Sequence, residues 1–243
     1  SLGSDTTGRG STAVGVSALQ SQNFTGNETS NNTAVGFQAG LNVTTGVQNT
    51  LIGAIAGDAL TTGESNVALG YGALSTDDVG NHSVAVGHGA LFSQNYATGT
   101  DSNNTAVGYN AGNAITTGIT NTLIGTFAGD ALTDSDENVA VGSYALTADT
   151  LGKKSTAVGH GALAHQNFTT ATDGNNTAVG YVAGNLITTG LFNVCVGAFA
   201  GDALTDADGN VAIGRHALGA DSLGSGSVAV GDSSLFTQNY ATG

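Results

Sequence analysis

Proline, methionine and tryptophan are absent from this chain of 243 residues, and cysteine occurs once. A lone Cys195 forms no internal disulfide, so cysteine usage does not fix the redox compartment. Basic side chains are almost missing: Arg9, Lys153, Lys154 and Arg215 stand against 18 acids, for a net charge of -14. Nucleic acid and anionic membrane both need clustered Lys and Arg, so neither is expected as a partner. No secretory leader and no apolar run of spanning length is present, so no membrane insertion is expected. The 39 glycines follow no Gly-X-Y period, which excludes collagen. Low charge with plentiful Val, Ile and Leu argues against disorder.

What is present is a repeat. A small-aliphatic-Gly triplet recurs 13 times, from Ala13-Val14-Gly15 to Ala229-Val230-Gly231. The intervals between its glycines read 21, 17, 17 and 17, three times over. A unit with a spacing of 17 or 21 is thus nested in a 72-residue super-repeat, with super-repeats at about 15–86, 87–158 and 159–230. Such self-similarity marks a solenoid, in which each unit buries its apolar surface by stacking on its neighbours. The expected fold is all-β, a parallel β-solenoid (β-roll) of about 13 stacked rungs running through 1–243. At about 4.8 Å per rung, one super-repeat advances about 19 Å. Neither end carries a polar capping unit, which solenoids need for solubility, so the chain reads as a segment of a longer fibre.

The rung can be read by column. Its first position is Asn or Ser, its second Thr or Val, its third mostly Ala, its fourth Val, Ile or Leu, its fifth Gly. β-branched residues favour a strand here. Alternation places the second and fourth residues on one face and the alanine on the other. Both faces are dry, which suits a strand buried on both sides. The expectation is that the large aliphatics fill the chain's own core while the Ala/Gly side packs against another sheet or subunit, in a homotrimer. The alternative is a flattened single-chain solenoid whose two sheets use one face each. A second short strand is expected after the triplet, where Ala recurs three residues on (Ala18, Ala39, Ala56). The later glycines, Gly46, Gly63, Gly80, Gly118 and Gly190, are expected at positive φ in the closing turn. The Asn column is expected to hydrogen-bond from rung to rung. Cys195 shares the column of Leu51 and Leu123 and reads as a small core residue.

The phrases Asn104-Thr-Ala-Val-Gly-Tyr-Asn-Ala-Gly112, Asn66-Val-Ala-Leu-Gly-Tyr-Gly-Ala-Leu74 and Thr116-Thr-Gly118 resemble two related groups. One is the repetitive shaft of phage tail-fibre proteins. The other is the head of trimeric autotransporter adhesins. The resemblance covers essentially the whole chain. For the triplet columns it implies a trimeric, left-handed parallel β-roll, although the rungs here are longer than the adhesin repeat.

Each long unit carries a loop with an aromatic: Phe24, Tyr96, Phe168 and Tyr240, each after Gln-Asn. Exposed, such rings with neighbouring amides would stack on sugars. Alternatively each ring caps its own loop against the core. Asp58, Asp130 and Asp202 recur at 72-residue spacing in the phrase Ala-Gly-Asp-Ala-Leu, with other acids near two of them. They are the candidates for calcium, which wants several converging oxygens. Neither an EF-hand loop nor a calcium nonapeptide accompanies them, and solvated turn residues are the competing reading. No other cofactor is suggested. His88 and His160 occupy equivalent positions, but Val16 and Asp232 share their column, which argues against a required ligand.

These features favour a structural and adhesive fibre segment, extracellular, on a cell or virion surface. It would partner itself and touch cell-surface glycans or a receptor weakly and many at once. An ice- or crystal-binding solenoid is a second reading; it needs Thr at alternate positions on one face, whereas the Thr-Thr pairs are adjacent. A glycan-cleaving solenoid is a third. So uniform a repeat leaves little room for a unique catalytic cluster, and no enzyme is expected.

Overall fold

A computed structural model describes residues 2–5, 7–26 and 28–240. Ser1 and residues 241–243, the ends of the expected solenoid span, lie outside the described residues. The chain is an all-β parallel β-solenoid of about 13 turns, with no helix among the described residues. It divides into two compact units, Ser1–Thr120 and Asn121–Gly243.

The first unit holds β1 (Thr12–Val14), β2 (Thr33–Val35), β3 (Thr50–Ile52), β4 (Val67–Leu69), β5 (Val84–Val86) and β6 (Thr105–Val107). The second holds β7 (Thr122–Ile124), β8 (Val139–Val141), β9 (Gly152–Lys153), β10 (Thr156–Val158), β11 (Thr172–Asp173), β12 (Thr177–Val179), β13 (Val194–Val196), β14 (Val211–Ile213) and β15 (Val228–Val230). Within each unit, successive triplet strands pair in parallel and in register, so that Ala34 lies beside Leu51 and Cys195 beside Ala212. The four extra residues of a long rung form a side loop tied to the rung before it. In the second unit that tie is the β9–β11 pair; in the first it is the bridges Arg9–Thr29 and Asn81–Asp101.

The faces of the strand are the reverse of the sequence expectation. The alanine column points into the chain's own core: Ala34, Ala68, Ala85, Ala106, Ala140, Ala178 and Ala212 are fully buried, as are Leu51, Leu123 and Cys195. The second and fourth residues face outward and are half-buried or exposed. The reason is volume. The turn after each triplet sends in a second alanine and a large side chain, such as Ala73 with Leu74 or Ala90 with Leu91. That leaves room for a methyl group on the strand, not for an isopropyl. Leu51 fits because Gly40 and Gly57 have no Cβ; one added at either would meet its side chain at 2.7 Å. Leu123 has Gly129 in the same place, at 2.8 Å, and Cys195 has Gly201, at 2.6 Å.

The expected second strand is a turn instead. Its second and fourth residues take positive φ, as at Gln38, Gly40, Ile55 and Gly57. This alternation of backbone hand folds the chain inward every second residue, which no sequence period announces. The triplet glycine is required by close approach as well as by its φ: a Cβ on Gly53 would sit 2.3 Å from the carbonyl oxygen of Gly70. The later glycines also differ from expectation. Gly46, Gly63, Gly80 and Gly190 are not in the positive-φ region; a Cβ on Gly46 would lie 2.4 Å from the Gly63 oxygen. At Gly46, Gly63 and Gly190 a carbonyl of the next rung, and at Gly80 the Asp77 carboxylate, crowds the Cβ position, although Ser135 and Ala207 occupy the same column.

The asparagine column does link the rungs. The Oδ1 of Asn32 accepts the backbone N–H of Asn49 at 2.9 Å, and that of Asn49 accepts from Asn66 at 3.0 Å. Each Nδ2 then donates to a carbonyl beyond the next turn, as Asn49 does to Gly63 at 2.9 Å. In the second unit Asn176, Asn193 and Asn210 repeat the pattern. These amides are buried, where an unpaired polar group would be costly, and they are satisfied by fixed backbone and, at Asn210, by the neighbouring asparagine.

Candidate interaction surface

The outward strand face is an uncharged stripe in both units. Its two columns hold only Thr, Val, Ile and Leu, so the 18 acids and four bases of the chain all lie elsewhere. Leu69 is 43% exposed and Ile213 39%, large values for side chains in the middle of a sheet. Lys153 pairs with Asp136 at 2.5 Å, Lys154 with Asp173 at 2.6 Å and Arg215 with Asp232 at 2.8 Å, all away from the strand columns.

A ladder of rings runs beside this face, in the turn after the triplet glycine. In the first unit His88 stacks between Tyr71 and Tyr109, with ring centroids 5.2 Å away on each side. In the second unit seven rings follow one another: Phe127, Tyr144, His160, Tyr181, Phe199, His216 and Phe236, at 4.8 to 5.9 Å. Sequence reasoning missed this ladder because its rings occupy different positions after the triplet glycine, one or two residues on for most and five for Phe236, and change residue type. It had noticed only His88 and His160, and as possible ligands. They are ladder members. Five of these contacts are face to face, so the rings spend those faces on one another, which suits an apolar ridge better than a sugar platform.

The loop aromatics chosen from the sequence behave differently. Phe24, Tyr96 and Phe168 are buried, Phe24 to 1% exposure, and offer a sugar no face to stack on. The phenol of Tyr96 donates to the Gly118 carbonyl at 2.7 Å. The reason is the extra length of the rung, whose loop would otherwise be hollow. Tyr240, in the last rung described, is 52% exposed. What the long rungs do present outward are the hydroxyls of Thr98, Thr169 and Thr170.

Asp58, Asp130 and Asp202 are half-buried turn residues. Asp58 accepts the Ser75 hydroxyl at 2.5 Å, and Asp130 that of Thr147 at 2.5 Å. In the third super-repeat the equivalent position is Gly219, and the Oδ1 of Asp202 is left buried without a partner. Burial raises the Asp130 and Asp202 carboxyls above the usual range. Among the described residues no three His, Cys, Asp or Glu side chains gather closely enough to hold a metal ion.

A second acid column, not singled out in the sequence, carries a polar lock in every super-repeat. Asp77 accepts the Gly80 N–H at 2.9 Å on Oδ1 and the Gln94 amide at 2.7 Å on Oδ2. Gln94 also donates to Ser83 and accepts from Asn104 at 3.0 Å. Asp149 with Gln166 and Asp221 with Gln238 repeat this, at 2.6 and 2.8 Å. The short Ser at the rung entrance makes room for the Gln, whose Oε1 accepts the Nδ2 of the next asparagine in the column. The available signal was an Asp recurring once per super-repeat, with Gly three positions later and Gln one rung later. Desolvation pushes the Asp77 and Asp221 carboxyls upward. At Asp221 the bonds from Gln238, Tyr240 and Gly224 outweigh it and hold the group low; at Asp77 desolvation prevails and the group is raised.

Cys195 is fully buried, and desolvation, helped by Asp202, pushes its thiol up to about 12. It is protonated at neutral pH and serves as core volume. Comparison with protein-family models and with curated proteins finds no match to this chain.

Proposed function

We propose that this chain is a segment of an extracellular structural and adhesive fibre that assembles with copies of itself, as a homotrimer, and carries out no catalysis. The observation that carries this reading is the uncharged outward strand face. In a chain of net charge -14, copies repel one another everywhere except where the acids have been left out. Each unit leaves Val, Ile and Leu side chains on that face and a ring ladder at its border, an apolar surface of the kind that marks a protein interface. The resemblance to tail-fibre shafts and adhesin heads points the same way and suggests a cell or virion surface as its location. Glycan or receptor contact then falls to the threonine-bearing loops of the long rungs, each weak and made strong by number. The test is electrophoresis without boiling. The intact chain is expected to run as a detergent-resistant oligomer, and the double variant Leu69→Asp, Ile213→Asp as a monomer. An intact chain that runs as a monomer contradicts the reading.

One observation favours a second reading, a surface that meets ice or another crystal. The threonines of β1, β2 and β3 stand in register on the outward face, with Val14, Val35 and Ile52 two residues on. Each of these rungs sets one Thr and one aliphatic on that face, stacked in register, in place of the adjacent Thr-Thr of the closing turns. A monomeric chain that produces thermal hysteresis would replace the fibre reading with this one.

A further inference from the structure

At the closing turn of the rung, a column of hydroxyls ties each rung to the next. In the first unit Thr44 donates to the Thr61 carbonyl at 3.1 Å, and Thr61 to the Asp78 carbonyl at 2.9 Å. In the second, Thr133 donates to Thr150, Thr150 to Phe168 and Thr205 to Ser222, each at 2.9 Å. Asp78 occupies this column, one rung after Thr61 and one super-repeat before Thr150. An ionised carboxyl has no hydrogen to give. The Oδ1 of Asp78 is indeed buried and without a hydrogen-bond partner. The carbonyl in register above it, one super-repeat before that of Phe168, belongs to Tyr96. Phe168 accepts both the Leu151 N–H, at 3.1 Å, and the Thr150 hydroxyl, so one such carbonyl serves two donors.

We propose that Asp78 is a proton-dependent clip: protonated, it donates to the Tyr96 carbonyl and closes the long rung of the first super-repeat as Thr150 closes that of the second, and ionised, it leaves that rung unlatched. A device of this kind makes the grip of one loop depend on the acidity of its surroundings. The titratable neighbours are few. Asp77 lies beside it on the same turn, and the Tyr96 phenol, bonded to Gly118, lies on the rung above. Thr61 on the rung below is neutral. Asp77 acts in the same direction as the clip. Its carboxyl is raised first by desolvation and further by the charge of Asp78. A carboxyl raised in the folded state contributes stability in acid that is lost as pH rises through its folded value. Acidification therefore both closes the clip and relieves the paired charges.

The test is amide hydrogen exchange, corrected for intrinsic rates, over residues 94–102 in the intact chain and in Asp78→Thr and Asp78→Asn, both of which bring a permanent donor. At pH 7 the variants are expected to be protected about fivefold more than the parent, the equivalent of one ordinary hydrogen bond. That advantage is expected to shrink on acidification. The reciprocal Thr150→Asp is expected to lose protection over 166–174 at pH 7 and to regain it in acid. An advantage absent at pH 7, or one constant across pH, overturns the proposal, as does a Thr150→Asp loss that acid does not repair.

Discussion

The two faces of each three-residue strand are nearly equal in hydrophobicity and opposite in use. The inner face is alanine, closed within its own coil; the outer face is valine, threonine and isoleucine, and it stays open. Apolar character therefore does not decide which way a solenoid strand points. Volume does. The turns already deliver a leucine, an isoleucine or, at Val43, a valine to the interior of nearly every described rung, so the strand contributes the smallest side chain that still excludes water. The exceptions support this: each larger residue in the alanine column has a glycine six positions later.

The substitution that most severely breaks the inner side of this comparison is Gly53→Ala. It places a methyl group 2.3 Å from a carbonyl of the next rung, at a φ of 136°. A loss of about 3 kcal/mol or more is expected, measured by chemical denaturation. Next come opposite errors of volume. Leu51→Ala opens a cavity and is expected to cost about 2–5 kcal/mol. Ala68→Leu overfills a rung whose sixth following residue is Leu74, at a cost of about 1–3 kcal/mol. Adding Leu74→Gly to Ala68→Leu copies the arrangement of Leu51 with Gly57, and partial recovery is expected. If the double variant is no better than the single one, the volume argument fails.

The smallest effect sharpens a difference between super-repeats. Gly219→Ser supplies Asp202 with the hydroxyl that Ser75 gives Asp58. The expected gain is about 1 kcal/mol over Gly219→Ala, which controls for backbone freedom. The Phe236 ring must give slightly, since a Cβ here lies 3.1 Å from it. No gain over the alanine control would mean that Asp202 is satisfied in another way.

Rung number, rung length and strand register were legible because they are periods, and periods survive ignorance of geometry. The asparagine ladder was legible because an amide recurring at a strand entrance has few uses when buried. The inward face was not. Alternation says which residues share a side, and two apolar sides leave the choice to the turns, whose positive-φ pattern at Ile55 or Val182 contradicts residue preference. The aromatic assignment failed for a related reason. Phe24 and Tyr96 recur strictly and so drew notice, but strict recurrence here marked a filled interior; the ladder through Tyr71, His88 and Tyr109 keeps the repeat spacing but changes residue type along it, because a surface tolerates exchange. The Asp77–Gln94 lock was concealed by distance along the chain, its two members lying on successive rungs.

Sedimentation equilibrium of the intact chain tests the outward face most directly, because it reads the assembled mass whatever the detergent resistance of the product. The account predicts a single species of three times the 23.7 kDa chain mass, unchanged on dilution and lost when Leu69 and Ile213 are both replaced by Asp. A species of one chain mass at every concentration, with the valine and isoleucine columns left in water, would contradict it.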